Sequence, residues 1–154
     1  MGADRFDIIE ELNGLMAEEV EASLRYFHMR FRLRGKNRRA VEAFLEEAVK
    51  ETMEHADAIA HQIRTLGHVP LLRVQLVLGG GTVRAEDALA EALEVERQAL
   101  DAYKDLLPRV EHHPALASFI GAQIDVETEH VQAILGIVHD VARLKLVAKS
   151  GAHE

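Results

Sequence analysis

The sequence contains no cysteine, which excludes disulfide scaffolds, thiolate zinc sites and iron–sulfur clusters. Tryptophan is also absent, proline occurs only 3 times and aromatic residues make up 5% of the chain, so most of its 48% hydrophobic residues are aliphatic. Aliphatic residues with few helix breakers suit packed helices better than a sandwich or barrel. Any metal ion must therefore be bound by oxygen and nitrogen ligands.

Long apolar runs are missing as well. No stretch approaches the roughly eighteen apolar residues of a membrane span, and the amino terminus lacks a basic segment followed by an apolar one. The net charge of −8 disfavours general nucleic-acid binding, which needs a basic surface. We expect a soluble, cytoplasmic protein whose partners include neither nucleic acid nor membrane. A basic cluster at residues 30–39 is interpreted as a solvated turn or as a docking site for an acidic partner.

Apolar residues recur at alternating steps of three and four in four segments, which predicts four helices. The first ends near Gly35, the second is capped by Gly67, the third ends or kinks at Pro108 and the fourth begins at Pro114. The long segment 67–81 predicts a crossover on the outside of the bundle that makes helices two and three parallel, with a short strand as the alternative.

The predicted fold class is therefore all-α: a four-helix bundle in a single domain, residues 1–154, with a long crossover between helices two and three.

Polar residues interrupt each apolar stripe near its centre. An isolated buried carboxylate is costly, so three glutamates on core-facing stripes need a cation. The helical phase selects Glu19 over Glu18 and Glu96 over Glu94. The interrupting residues are Glu19, Thr52, His55, Glu96, Glu127 and His130.

Glu127 and His130 lie three residues apart on one helix face and form the Glu-x-x-His unit of di-iron and di-manganese bundles. Such sites take this unit from two helices and a single glutamate from each of the other two, the positions that Glu19 and Glu96 occupy. The sequence therefore predicts a site for two ions, iron or alternatively manganese. Tyr26, seven residues after Glu19, is expected beside it as an electron or hydrogen-bond donor.

The second helix departs from this pattern. Thr52 stands three residues before His55, where a glutamate is expected, so one bridging carboxylate is missing. Glu51 is adjacent but points about 100° away on a regular helix. We include Glu51 among the candidate ligands because a local bulge would bring it to the metal ions.

Several short stretches resemble those of bacterioferritins, and together they span essentially the whole chain. The resemblance implies a ferritin-like four-helix bundle in an oligomeric cage, with twenty-four subunits assembled from dimers in that family. It also implies a fifth helix at the carboxyl end, for which the segment after residue 143 is a short candidate. The stretches are residues 12–15, Glu19, residues 25–27, 53–57, 66–70 and 96–99, Tyr103 and residues 127–130.

This resemblance also implies a function and site residues. The family oxidises Fe(II), with oxygen or peroxide, at an intrasubunit di-iron site and stores ferric mineral inside the cage. Met53 matches the methionine that ligates haem b between two subunits. The matching ferroxidase residues are Glu19, His55, Glu96, Glu127 and His130, with Tyr26 beside them.

Three functions stay open from the sequence. The first is iron storage and detoxification by a ferroxidase with two irons per subunit. The second is a cage subunit with a degenerate centre that binds iron or haem and assembles with an active second subunit. The third is a small non-cage di-metal oxidase, and the alternative to all three is a helical interaction module without metal.

Overall fold

The computed structural model describes residues 2–151. Four helices make up most of this range, which confirms the predicted all-α bundle. Two short strands and a 3₁₀ turn at Leu107–Val110 connect them. The helices are α1 (Gly2–Arg32), α2 (Arg38–Thr65), α3 (Ala85–Leu106) and α4 (Pro114–Ser150), and the strands are β1 (Leu33–Arg34) and β2 (Val83–Arg84).

The two strands fix the relative directions of the helices. β1 pairs with β2 in parallel, with Leu33 opposite Val83. The end of α1 therefore meets the start of α3. Because α2 begins just after β1, across a turn in which Gly35 has a φ of 101° that favours glycine, α2 and α3 start at the same end of the bundle. They run parallel, as the crossover predicts.

The crossover, residues 66–82, contains neither helix nor strand and lies along α1. The alternative of a strand within residues 67–81 is wrong, because β2 begins only at Val83. Three contacts with α1 hold the crossover: Leu71 N donates to Asn13 Oδ1 (2.9 Å), Arg73 pairs with Glu10 (3.5 Å), and Arg32 Nε donates to the Gly81 carbonyl oxygen (2.6 Å).

The helix ends follow the expected residues, with one correction. Gly67 has a φ of 86° just beyond α2, and α4 begins at Pro114. The candidate fifth helix is not a separate element in the described residues, because α4 continues through Ser150. Residues 143–150 contain no proline or glycine that would end the helix. The last three residues of that predicted segment, 152–154, lie outside the described range.

Two apolar clusters fill the bundle core, one toward each end. The first contains Leu12, Ile59 and Ile120, and the second contains Leu45 and Ile134. The buried glutamates lie on the helices between these clusters. No helix within residues 2–151 combines the length and apolar character that a membrane crossing requires.

Candidate metal centre

Three glutamate side chains are buried in the middle of the bundle. Glu19, Glu96 and Glu127 are 4%, 3% and 1% exposed, respectively. Their neighbours Glu18 and Glu94 are exposed, so the helical phase identified the buried carboxylates correctly. Each comes from a different helix. Because each lies at the centre of a core-facing stripe, the three side chains point toward one another.

Glu127 lies between two histidines. Its Oε1 is 3.1 Å from Nδ1 of His55, and its Oε2 is 3.6 Å from Nδ1 of His130. The two imidazole rings are nearly parallel, with 15° between their planes and 5.4 Å between their centroids. One carboxylate therefore turns one oxygen toward each ring, which is the arrangement of a ligand shared by two ions.

The remaining glutamates complete two groups of potential ligands. One group is Glu19, His55 and Glu127, the other is Glu96, Glu127 and His130, and the ligand atoms within each lie within 4.8 Å of one another. We call them the Glu19 half and the Glu96 half of the centre. In addition, Glu127 Oε2 and His55 Nδ1 are buried without a well-aligned hydrogen bond, although Nδ1 lies 3.1 Å from Glu127 Oε1 as an ion pair. Unsatisfied buried donors and acceptors in a set of carboxylates and imidazoles fit iron or manganese.

Residues 9–144 match the Ferritin family, described as a ferritin-like domain. The chain belongs to this family. No curated protein sequence is significantly similar to it.

Solved structures support the fold of this ferritin-like domain. Ferritin-like, diiron-carboxylate proteins from Bacillus anthracis have a TM-score of 0.79 at 24% identity, covering 90% of this chain and 99% of theirs. A dodecameric thioferritin, the bacterioferritin-related protein from Bacteroides fragilis, has a TM-score of 0.82 at 24% identity, covering 93% and 90%. Antigen TpF1 from Treponema pallidum has a TM-score of 0.82 at 13% identity, covering 90% and 95%.

Two buried tyrosines connect α1 and α3 through the carboxylates of the ferritin-like centre. Tyr26 of α1 donates to Glu96 Oε1 of α3 (2.6 Å), and Tyr103 of α3 donates to Glu19 Oε1 of α1 (2.7 Å). Tyr26 thus lies beside the centre, as expected. Tyr103 was not predicted as a site residue, although it follows Glu96 by seven residues, as Tyr26 follows Glu19.

The carboxylates change the pKa of both histidines. Burial alone would lower the pKa of His55, but Glu127 and Glu19 outweigh burial and raise it to about 9. Burial would also lower the pKa of His130, but Glu127 and Glu96 outweigh burial and raise this pKa to about 10. Both rings are protonated near neutral pH when no metal ion is bound, so a metal ion must displace these protons.

The carboxylates and tyrosines respond to the same environment. Burial raises the pKa of Glu96, partly opposed by His130. Burial acts in the same direction on Glu127, but His130 and His55 prevail and lower its pKa. Burial and the adjacent glutamates raise the pKa of Tyr26 and Tyr103, so both phenols stay protonated and act as donors.

Neither Thr52 nor Glu51 brings to the two ligand groups the carboxylate that a glutamate at position 52 would bring. Thr52 is buried, and its hydroxyl donates to the Ala48 carbonyl oxygen at 2.7 Å. Glu51 lies outside both ligand groups, and its Oε2 is 2.9 Å from Nε2 of His130. Glu51 therefore contacts the nitrogen opposite Nδ1, which faces Glu96 and Glu127. A carboxylate at Nε2 holds the proton there and leaves Nδ1 free for a metal ion.

Met53, the candidate haem ligand, was predicted at the surface of the bundle and not at the metal centre. Its side chain is 44% exposed on α2. This position is open to a second subunit.

Proposed function

We propose that this ferritin-like protein binds two Fe(II) ions per subunit and oxidises them. The observation that carries the proposal is the position of Glu127, whose oxygens face His55 and His130 while Glu19 and Glu96 complete the two halves. Fe(II) is the substrate: each ion gives up one electron, and oxygen or peroxide accepts the pair.

The glutamates and histidines bind the ions, and the histidines also release protons. In each half, one histidine and one glutamate bind an ion, and Glu127 is shared. The histidines lose protons as the ions bind, while Tyr26 and Tyr103 keep theirs and orient the terminal glutamates. Enclosed carboxylates stabilise Fe(III) more than Fe(II) because the interaction grows with the charge of the ion.

We further propose a bacterioferritin-type assembly that stores the oxidised iron in an oligomeric cage. The bacterioferritin-related thioferritin of similar fold is dodecameric, which supports a closed homo-oligomer and makes its size a matter for measurement. Haem b binding at Met53, manganese as the bound metal and a cytoplasmic location remain predictions.

The test is anaerobic loading of metal-free protein with Fe(II), followed by mixing with oxygen. We expect a fast rise in ferric absorbance that saturates near two irons per subunit and is lost in Glu127→Gln. Glu129→Gln is the matched control, since Glu129 is an exposed glutamate on the same helix. If Glu127→Gln and Glu129→Gln oxidise Fe(II) at the same rate, the proposed oxidation site at Glu127 is wrong.

A cage subunit with a degenerate centre is the second candidate, and Thr52 favours it. Its hydroxyl is turned to the α2 backbone, so α2 contributes no second bridging carboxylate from this position. The same titration separates the two candidates, because a degenerate centre would oxidise Fe(II) no faster than oxygen does in buffer without protein.

A further inference from the structure

The negative charge of this chain is not evenly distributed over its surface. The net charge is −8, yet residues 30–39 contain six basic side chains and no acidic one. These six, out of 18 lysines and arginines in the chain, lie around the turn between α1 and α2. The net charge that disfavours nucleic-acid binding in general therefore does not describe this end of the bundle.

The fold brings further basic residues to the same end. Arg34 of β1 is the strand partner of Arg84 of β2, so two exposed arginines occupy adjacent positions on neighbouring strands. The end of α4 lies here too, because Lys145 pairs with Glu86 near the start of α3 (2.9 Å). Like charges at such short range repel each other, and a bound anion would relieve that repulsion.

Most of this positive charge is not neutralised within the described part of the chain. Glu86 lies 3.8 Å from Arg84 and 2.9 Å from Lys145, so one carboxylate serves two basic groups. The basic residues of the turn itself are exposed and form no ion pair with a described carboxylate: Arg34, Lys36, Arg38 and Arg39. We call these four residues together with Arg84 the basic end.

The start of α2 adds a further preference for anions. Helix N-termini favour acidic side chains, yet the first turn of α2 contains none and begins with Arg38 and Arg39. Asn37, the residue before the helix, makes no side-chain cap. The two arginines thus oppose the stability of the helix end, so folding does not explain them, whereas an anion bound there would be favoured by both.

An exposed aromatic side chain beside the basic end favours nucleic acid over an acidic protein. Phe31 is 72% exposed and stands three residues before Arg34, with the Arg30 guanidinium 5.5 Å from the centre of its ring. Unpaired bases stack on aromatic rings and on guanidinium planes. The carboxylates of an acidic protein, by contrast, are repelled by the negative face of an aromatic ring.

We propose that the basic end binds single-stranded nucleic acid, with phosphates at its arginines and lysine and a base on Phe31. Arginine forms two parallel hydrogen bonds with a phosphate, and lysine adds a point charge. The cationic groups are spread over β1, the turn, the start of α2 and β2. A polymer with regularly spaced phosphates can reach several of them at once, whereas a single small anion cannot.

The experiment is a titration of a fluorescently labelled single-stranded oligodeoxynucleotide with the full chain, followed by fluorescence anisotropy. We expect the affinity to fall about fiftyfold for a roughly fourfold increase in salt, the dependence of about four phosphate contacts on a single strand. A duplex of the same sequence and poly-glutamate of similar total charge are compared as competitors at equal ionic strength. The single strand should bind most tightly of the three.

Two charge variants connect binding to the basic end. Arg38→Gln/Arg39→Gln should weaken binding at least about tenfold and lower the salt dependence by about two contacts. Removal of basic residues from the start of a helix does not threaten folding. Arg97→Gln/Lys104→Gln is the matched control, because it removes the same charge from exposed positions on α3, and it should bind as wild type does.

A third variant tests the stacking. Phe31→Ala keeps every charge of the basic end, so it should weaken binding of the single strand about tenfold and leave binding of the duplex unchanged. An equal loss for single strand and duplex would show that the ring does not stack on a base, which overturns the preference for single strands.

The remaining outcomes also decide the inference. Equal competition by poly-glutamate would make the basic end a docking site for acidic proteins and would overturn the inference. So would an equal loss of binding in both charge variants. Absence of binding by wild type, with a change of oligomeric size in Arg38→Gln/Arg39→Gln, would instead identify a contact between copies of this chain.

The inference is independent of the proposed function. The basic end lies at one end of the bundle, whereas the metal centre lies between the two core clusters. Fe(II) oxidation by Arg38→Gln/Arg39→Gln should therefore equal that of wild type. Loss of nucleic-acid binding with unchanged oxidation separates the two, and a failure of either leaves the other intact.

Discussion

The two halves of the metal centre are similar in composition but differ in their surroundings. Each contains a buried glutamate and a histidine that turns Nδ1 toward Glu127, and each glutamate accepts a hydrogen bond from a tyrosine of the opposite helix. In the Glu96 half, Glu51 also contacts the outer nitrogen of His130 at 2.9 Å. The two sets of candidate ligands are thus nearly symmetric, and the difference lies in the contacts that hold the two histidines.

The histidine variants give the largest expected effect. His55→Ala and His130→Ala each remove one ligand from one half, so each variant should bind one Co(II) ion tightly and the other more than about 100-fold more weakly. Isothermal titration of the metal-free protein measures the stoichiometry. The exposed His139→Ala serves as control and should still bind two ions. If either histidine variant binds both ions as tightly as wild type, the division into two halves is wrong.

The tyrosine variants test the symmetry of the cross-helix contacts. Tyr26→Phe and Tyr103→Phe each remove one hydrogen bond to a buried carboxylate, which should cost about 1.5–3 kcal/mol in the free energy of unfolding. Urea denaturation of the metal-free protein measures this loss. Similar losses would support the symmetry, whereas a neutral variant would show that its hydroxyl is not engaged in solution.

Replacing Glu51 tests the asymmetry. Glu51→Ala removes the carboxylate at Nε2 of His130, so the ion of the Glu96 half should bind about 10–100-fold more weakly while the other is unaffected. Glu54→Ala, an exposed glutamate on the same helix, is the matched control for Co(II) titration. An equal loss at both ions would indicate that Glu51 is a ligand shared by the halves and not a support for His130.

For one histidine and one unit of pH, the pH dependence is the smallest expected change in the free energy of unfolding. Since the folded pKa values of His55 and His130 are raised to about 9 and about 10, their stabilising contribution is complete below the unfolded value of 6.5 and is lost as the pH rises through the folded values. Metal-free protein should lose up to about 1.4 kcal/mol per pH unit for each histidine above pH 6.5.

The metal-loaded protein should respond in the opposite direction. Because bound ions displace the histidine protons, the apparent affinity for Co(II) should increase with pH over the same interval. Urea denaturation at several pH values, with and without Co(II), measures both trends. Metal-free stability that is constant from pH 6.5 to 9 would show that the histidine pKa values are not raised.

Helical periodicity was sufficient to predict the bundle and the buried positions. Glu19 and Glu96 could be separated from their neighbours because only one phase of a helix faces the core, and the length of the crossover predicted parallel α2 and α3. The fifth helix was not predictable in this way: a resemblance suggested it, but the residues after 143 have no breaker and continue α4.

Contacts between helices were beyond the sequence. The pairing of Tyr103 with Glu19 depends on α1 and α3 lying antiparallel at one particular register, although the equal spacings of the two glutamate–tyrosine pairs were visible. Likewise, Glu51 was predicted to point about 100° away from the direction of Thr52, but its contact with His130 depends on the rotation of α4 against α2. A cavity of about 390 Å³ between α1 and α3 also reaches Thr52 of α2, so it arises from three helices at once.

The crossover also determines how this chain can assemble during folding. α1 with α2, and α3 with α4, are joined by short turns, so each pair can form from contacts that are local in sequence. Docking of the two pairs must close the loop between them, and nonlocal contacts of this kind slow folding. The entropy of loop closure grows slowly, by about 0.6 kcal/mol for each doubling of length. The crossover should therefore tolerate insertions with little loss of stability.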